Sequence, residues 1–220
     1  DWGNIPSLTD LGLKAHTKDT RSDFEYIGGE AEGLANLQKV TVDMQQAATT
    51  KNLILASKLS AWLAMGCLSP RKVYWEIKKM ESMPNTKAMF NHVLLGLLWR
   101  DYFRFMFKKY GNNFFKPNGF GSQGIVDEAN TAENLNNWKN GQTGFAIVDA
   151  VMTELNQTGY ISNIARQTAA LYLINNLEVS WVLGAAYFEE KLIDYNPASN
   201  WGNWANMAGV GNDQKSKSDF

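Results

Sequence analysis

The chain has 220 residues, 45% apolar and 20% charged, with a formal net charge of −1 and a single cysteine. Those values fit an ordinary globular chain. They exclude a disulfide-built fold, because Cys67 has no partner, and a membrane-spanning helix, because no apolar run reaches the roughly 18 residues that a bilayer requires. No secretory leader is visible, and the lone thiol suits a reducing, cytoplasmic compartment.

Residues 1–29 read as an extended lead-in with Pro6, Gly12, Gly28 and Gly29, and residues 30–220 as one helical domain. The first helix runs from Glu30 to Ala47 on the spacing of Leu34, Leu37 and Val40. A second, Ile54 to Cys67, carries Leu55, Leu59, Trp62 and Leu63. Ser69-Pro70 supplies a cap and a first-turn proline for a third, to about Met83. Thr86 to Tyr110 has so long an apolar face (Met89, Phe90, Val93, Leu94, Leu97, Leu98, Phe103, Phe105, Met106) that it predicts a central, buried helix ended by Gly111. Residues 111–130 show no period and read as a long functional or mobile loop. Helices follow from Thr131 through Trp138, then over Phe145–Thr158, Ile161–Leu177, Ser180–Ile193 and Pro197–Met207. The reading is an all-α globule of about eight or nine helices, without strand alternation or a repeat.

Charge is unevenly spread. Residues 71–116 hold 10 basic and 3 acidic side chains, net +7, between flanks of net −2 and −6. Such a stretch suits a phosphate or nucleic-acid face, or a solvated helix surface. Aromatics reach 12%, with eight Trp, which favours an aromatic core and stacking on flat ligands.

His16 and His92 are isolated and Cys67 has no ligand-spaced neighbour, so no metal is expected. Four clusters carry chemistry. Ser57, Lys58, Leu59 and Ser60 open an apolar helix, where free N–H groups, two hydroxyls and a lysine could hold a phosphate; taken alone, a plain cap is the commoner explanation. Trp99 neighbours Arg100 and Arg104, which are four apart on one helix face. Asn163 and Arg166 share a face and could address a ring edge. Asp194, Asn196 and Asn200 sit among aromatics and apolar residues, where polar groups need partners such as a planar heterocycle.

Trp99-Arg100-Asp101-Tyr102-Phe103-Arg104-Phe105, Gly141-Gln142-Thr143-Gly144-Phe145 with Val148-Asp149-Ala150, Leu192-Ile193-Asp194 and Asn200-Trp201-Gly202-Asn203-Trp204 resemble photolyase/cryptochrome motifs in order and spacing. So does Trp62 through Arg71, and Gly209-Val210-Gly211-Asn212-Asp213 resembles the cryptochrome DASH branch. The likeness covers roughly residues 24–213 and implies the family's helical FAD-binding bundle, with the α/β antenna domain absent.

The resemblance implies FAD as cofactor. Ser57, Lys58, Leu59 and Ser60 would hold its phosphates with Arg100 nearby, and Asn163, Arg166, Asp194, Asn196 and Asn200 would line the flavin, with Arg166 paired to Asp194. Trp204 would be the inner and Trp181 the middle member of a tryptophan electron relay, with the outer position at Glu128. Trp99 would stack on a flipped-out pyrimidine dimer in DNA. Departures from the pattern thin the DNA-facing set: Gly96 stands for the dimer-binding glutamate, Ile164 for an arginine, Asn196 for an aspartate, and Met44 and Ala48 for a tyrosine and an arginine. The implied function is a deoxyribodipyrimidine photolyase-type lyase driven by blue light. A flavin photoreceptor without repair, and a cofactor-free helical module, are the alternatives. Neither a membrane nor a metal is expected.

Overall fold

A computed structural model describes residues 4, 6–14, 25–50, 57–83, 86–121 and 131–211, and every regular element among them is helical. In chain order these are α1 (Glu30–Thr50), α2 (Ser60–Met65), α3 (Pro70–Lys78), α4 (Lys87–Tyr110), a 3₁₀ turn (Gly111–Phe115), α5 (Thr131–Asn140), α6 (Ala146–Thr158), α7 (Asn163–Asn175), α8 (Trp181–Lys191) and α9 (Pro197–Met207).

Local chemistry sets several of these boundaries. Ser69 is extended and Pro70 opens α3. The Ser162 hydroxyl accepts from the Ala165 N–H at the head of α7, and the Asn196 side chain accepts from the Ser199 N–H before Pro197 at the head of α9. Gly159 ends α6 at φ 68°, a left-handed conformation that glycine adopts without Cβ strain. Three expected helices are shorter than their periodicity. Residues 57–59 are not helical, so α2 starts at Ser60; α3 stops at Lys78; and α7 spans only Asn163–Asn175. Apolar period continues through capping turns because those turns also pack on the core.

Two apolar clusters build the domain. Leu37, Met44, Trp62, Val73, Ile77, Met89, Phe90 and Leu97 form one, from α1–α3 and the first half of α4. Phe114, Trp138, Met152, Leu173, Trp181, Phe188 and Trp204 belong to the other, from α5–α9 and the 3₁₀ turn. The long α4 contributes Met106 to the second, so one helix spans both. Its second half packs on α9 closely enough that a Cβ on Gly202 would lie 2.2 Å from the Phe103 ring.

α4 is central but not wholly buried. Met89, Phe90, Leu97, Phe103 and Met106 are inside, whereas Leu98 and Phe105 are exposed, against expectation. Neighbours cover Met89, Phe90 and Leu97 in its first half and Phe103 and Met106 in its second, and a broad apolar pattern cannot say which part of it is covered. The expected mobile loop is likewise corrected over 111–121. Phe114 and Phe120 stack at 4.2 Å between ring centroids inside the second cluster, and the N–H groups of Phe120 and Gly121 both donate to the Val210 carbonyl. Residues 122–130, with Glu128, lie outside the described residues, as do Asn212 and Asp213.

Candidate functional site

Asp194, in the turn before α9, is buried to 3% side-chain exposure. One carboxylate oxygen accepts from the Arg166 guanidinium at 2.7 Å, and Arg166 Nε donates to the Ile161 carbonyl at 3.0 Å. The other oxygen, Oδ1, is buried without a donor. A buried acceptor of this kind costs about 1–3 kcal/mol unless something outside the chain satisfies it. Arg166 also lies over the Tyr160 ring at 5.6 Å. Tyr160 meets Tyr26 at 5.4 Å, and Tyr26 meets Trp62 of the first cluster at 5.2 Å. Burial holds both tyrosine hydroxyls above their usual range. The Arg166–Asp194 pair thus sits where the lead-in and the two clusters meet. Neither Tyr26 nor Tyr160 was legible as part of it, because single tyrosines carry no local pattern.

Asn200 is buried and its amide donates to the Ala185 carbonyl at 2.9 Å, which locks α9 to α8. Asn196 is accounted for as the α9 cap, while Asn163 and Ile164 are exposed at the start of α7. Asp194, Asn196 and Asn200 therefore lie within one turn-and-helix junction, to which Arg166 of α7 is tied through Asp194.

Ser57 lines a cleft of about 220 Å³ with Val40 and Met44 of α1 and Ala88, Met89, His92 and Val93 of α4. Lys58 takes φ 48°, uncommon for a side-chain-bearing residue, and Leu59 is buried beneath it. α2, opened by Ser60, is only six residues long, so the loop's own N–H and hydroxyl groups matter there more than a helix field. From His92 the same face of α4 continues to Gly96 and Arg100 in i, i+4 steps. A Cβ on Gly96 would meet nothing within 4 Å, so close helix packing does not explain this glycine. Arg100 donates to Asp101 at 3.0 Å; burial, then the neighbouring Arg104, lowers its affinity for its proton. The Ala48 side chain lies outside the described residues.

Trp99 is 42% exposed, stacked on Phe103 at 5.6 Å and edge-on to Tyr102. A supported, open indole face of this sort suits a flat ligand. The basic stretch is less uniform than its net charge suggests. On α3 and in the turn after it, Lys72 and Lys79 share Glu76, and Lys78 pairs with Glu81. On α4, Arg104 and Lys108 follow Arg100 on one face and are exposed. We expect neutralising Arg104 and Lys108 to lower the salt dependence of duplex binding by roughly one unit for each phosphate that the protein no longer neutralises. The same change at Lys78 and Lys79 should do less, as a titration of affinity against salt will show.

Trp204 is 1% and Trp181 2% exposed. Gly184 admits Trp204 to α8, since a Cβ there would lie 2.4 Å from its ring. Trp204 meets Trp138 at 6.2 Å and Phe188 at 5.1 Å, and Trp181 meets Trp201 at 5.9 Å. Trp138 and Trp201 were not among the residues expected beside Trp204 and Trp181. The i, i+3 spacing of Trp201 and Trp204 was a visible but insufficient signal. Among the described residues no group of three His, Cys, Asp or Glu gathers to hold a metal, and no helix is long and apolar enough to cross a membrane.

The FAD binding domain of DNA photolyase is the family whose model matches this chain, over residues 93–219. A cryptochrome DASH from Natronomonas pharaonis is 41% identical over 98% of this chain and 47% of its own length. The fold superposes on a cryptochrome from a Synechocystis species with a TM-score of 0.84 at 40% identity, covering 98% of this chain and 45% of that one. An archaeal photolyase from Sulfolobus tokodaii, solved with two FAD molecules, gives 0.74 at 28%, covering 96% and 45%. The chain spans about half the length of the curated relatives it matches.

Proposed function

The chain belongs to the DNA photolyase/cryptochrome family, as its FAD-binding domain, and from that premise we propose that it uses blue light to drive electron transfer from reduced FAD into pyrimidine dimers in DNA, splitting them in a lyase reaction. The observation that carries this reading is the buried Asp194, one oxygen on Arg166 and the other without a donor. A flavin ring carries N–H donors on its edge, so the residues present fit the group. When bound, reduced FAD supplies a light-activated electron that is recovered after the dimer opens.

The chain's own residues have three tasks. Arg166 and Asp194 orient the ring edge and fix the charge beside it, with Asn200 held close by its bond to Ala185. Ser57, Lys58, Leu59, Ser60 and Arg100 take the phosphates, with Asn163 and Asn196 at the margin of the ring site. Trp99 offers its exposed face to an unstacked dimer, and Arg104 and Lys108 hold the backbone.

A second reading, a flavin photoreceptor without repair, is favoured by Gly96, which supplies no group to bind a dimer. Repair of dimers in single- and double-stranded DNA under blue light separates the two. Light-driven changes in flavin absorption without repair would favour the photoreceptor. A chain that cannot be loaded with FAD would overturn both. In either case the relay reading expects Trp204→Phe to remove most photoreduction. Trp181→Phe should shorten the life of the charge-separated pair, followed by transient absorption.

A further inference from the structure

A light-driven relay works only if the positive hole left on the first tryptophan moves outward and is held. One ring path leads outward from Trp204 and another from Trp181. The first goes from Trp204 to Trp138 at 6.2 Å and on to Tyr187 at 5.8 Å. Trp138 donates its indole N–H to the Ala169 carbonyl, which cannot accept the proton outright. Tyr187 has the Lys139 and Lys191 ammonium groups over its ring at 5.1 and 5.4 Å. Two cations beside a ring oppose a hole on it.

The second path goes from Trp181 to Trp201 at 5.9 Å, with rings 76° apart. Trp181 itself donates to the Pro117 carbonyl, again a poor base. Trp201 instead donates to the Glu189 carboxylate at 2.8 Å. Its ring is 6% exposed, while Glu189 faces solvent. A buried indole thus touches a negative charge that both stabilises a hole and connects it to water. The Tyr195 hydroxyl neighbours the same carboxylate; burial, then Glu189, pushes it up to about 12.

We propose that Trp201, with Glu189 as its proton acceptor, is the terminal electron donor of this relay. The inference rests on the flavin-relay reading above. In the step, Trp204 would have given one electron to the light-excited, oxidised flavin, and Trp181 would have refilled Trp204. Trp201 then gives one electron to oxidised Trp181. The resulting Trp201 radical cation, far more acidic than neutral indole, releases its N–H proton to Glu189, leaving a neutral indolyl radical and a carboxylic acid. A soluble thiol returns the electron, and Glu189 returns the proton.

Two experiments test this. In the FAD-loaded chain, Trp201→Phe should shorten the charge-separated state at least tenfold without changing the initial yield of oxidised tryptophan. Glu189→Gln keeps the ring in place and should leave that radical as the cation, visible in its transient absorption. Independently of FAD, flash oxidation of the cofactor-free chain by a ruthenium photosensitiser should trap a neutral tryptophan radical by electron paramagnetic resonance. With the other indoles open to the sensitiser, Trp75 and Trp99, and also Trp2, replaced by Phe in both chains, that signal should fall sharply in Trp201→Phe. If Trp204→Phe and Trp181→Phe abolish the long-lived state while Trp201→Phe and Glu189→Gln match wild type, the proposal fails and the relay stands. If none of the four changes it, the relay reading itself is wrong.

Discussion

Gly96→Glu is expected to raise light-driven dimer repair roughly ten- to a hundredfold. A carboxyl group hydrogen-bonded to the dimer in a dry pocket contributes about 1–3 kcal/mol, and 1.36 kcal/mol is a factor of ten. The space exists, because a Cβ at Gly96 meets nothing within 4 Å. The backbone also gains. Glycine inside a helix costs about 1 kcal/mol against a good helix former, and a glutamate four residues before Arg100 adds a few tenths more. For a domain of this size about 1 kcal/mol raises Tm by roughly 2–4 °C. The variant should therefore fold, keep FAD and melt higher. A stable, FAD-loaded variant with repair no better than wild type would mean that this face serves a photoreceptor. Strong repair by the wild-type chain would mean that another residue binds the dimer.

Asp194→Ala is expected to weaken FAD binding about a hundredfold or more. The substitution leaves the Arg166 guanidinium, 23% exposed, without its anion. Removing one partner of a buried pair typically costs the fold about 3–5 kcal/mol, while each hydrogen bond lost to the flavin costs about 1–3 kcal/mol of binding, and about 2.7 kcal/mol corresponds to a hundredfold. It also removes Oδ1, the acceptor for which the chain supplies no donor. Asp194→Asn keeps the shape and one hydrogen bond, so its loss should be intermediate. Arg166→Ala should resemble Asp194→Ala, and the double variant should fall well short of their sum because the two residues act as one unit. Affinity for FAD and the melting temperature of the cofactor-free chain should be measured together. A fall in melting temperature with unchanged FAD affinity would make the pair a structural brace and take it out of the flavin site.

The sequence by itself determined the helical class, the order of the elements and most of their ends. Those depend on residues a few positions apart: a cap and a proline at Ser69-Pro70 and Asn196-Pro197, and a left-handed glycine at 159. It also singled out Arg166 with Asp194, through motifs carried in order along the chain. It could not say that Leu98 and Phe105 face outward, since an apolar helix face does not record which part of it is covered. Nor could it show that Lys72, Lys78 and Lys79 are paired with carboxylates while Arg104 and Lys108 of α4 are exposed, although the Lys72–Glu76 spacing hinted at this. The unpaired Asp194 oxygen, the open space at Gly96, the seam at Tyr26 and Tyr160, and the meeting of Trp201 with Glu189 were decided by tertiary structure alone. Each depends on groups from different helices meeting at a few ångströms. Such distances follow from how the helices pack, and helix packing leaves no period in the chain.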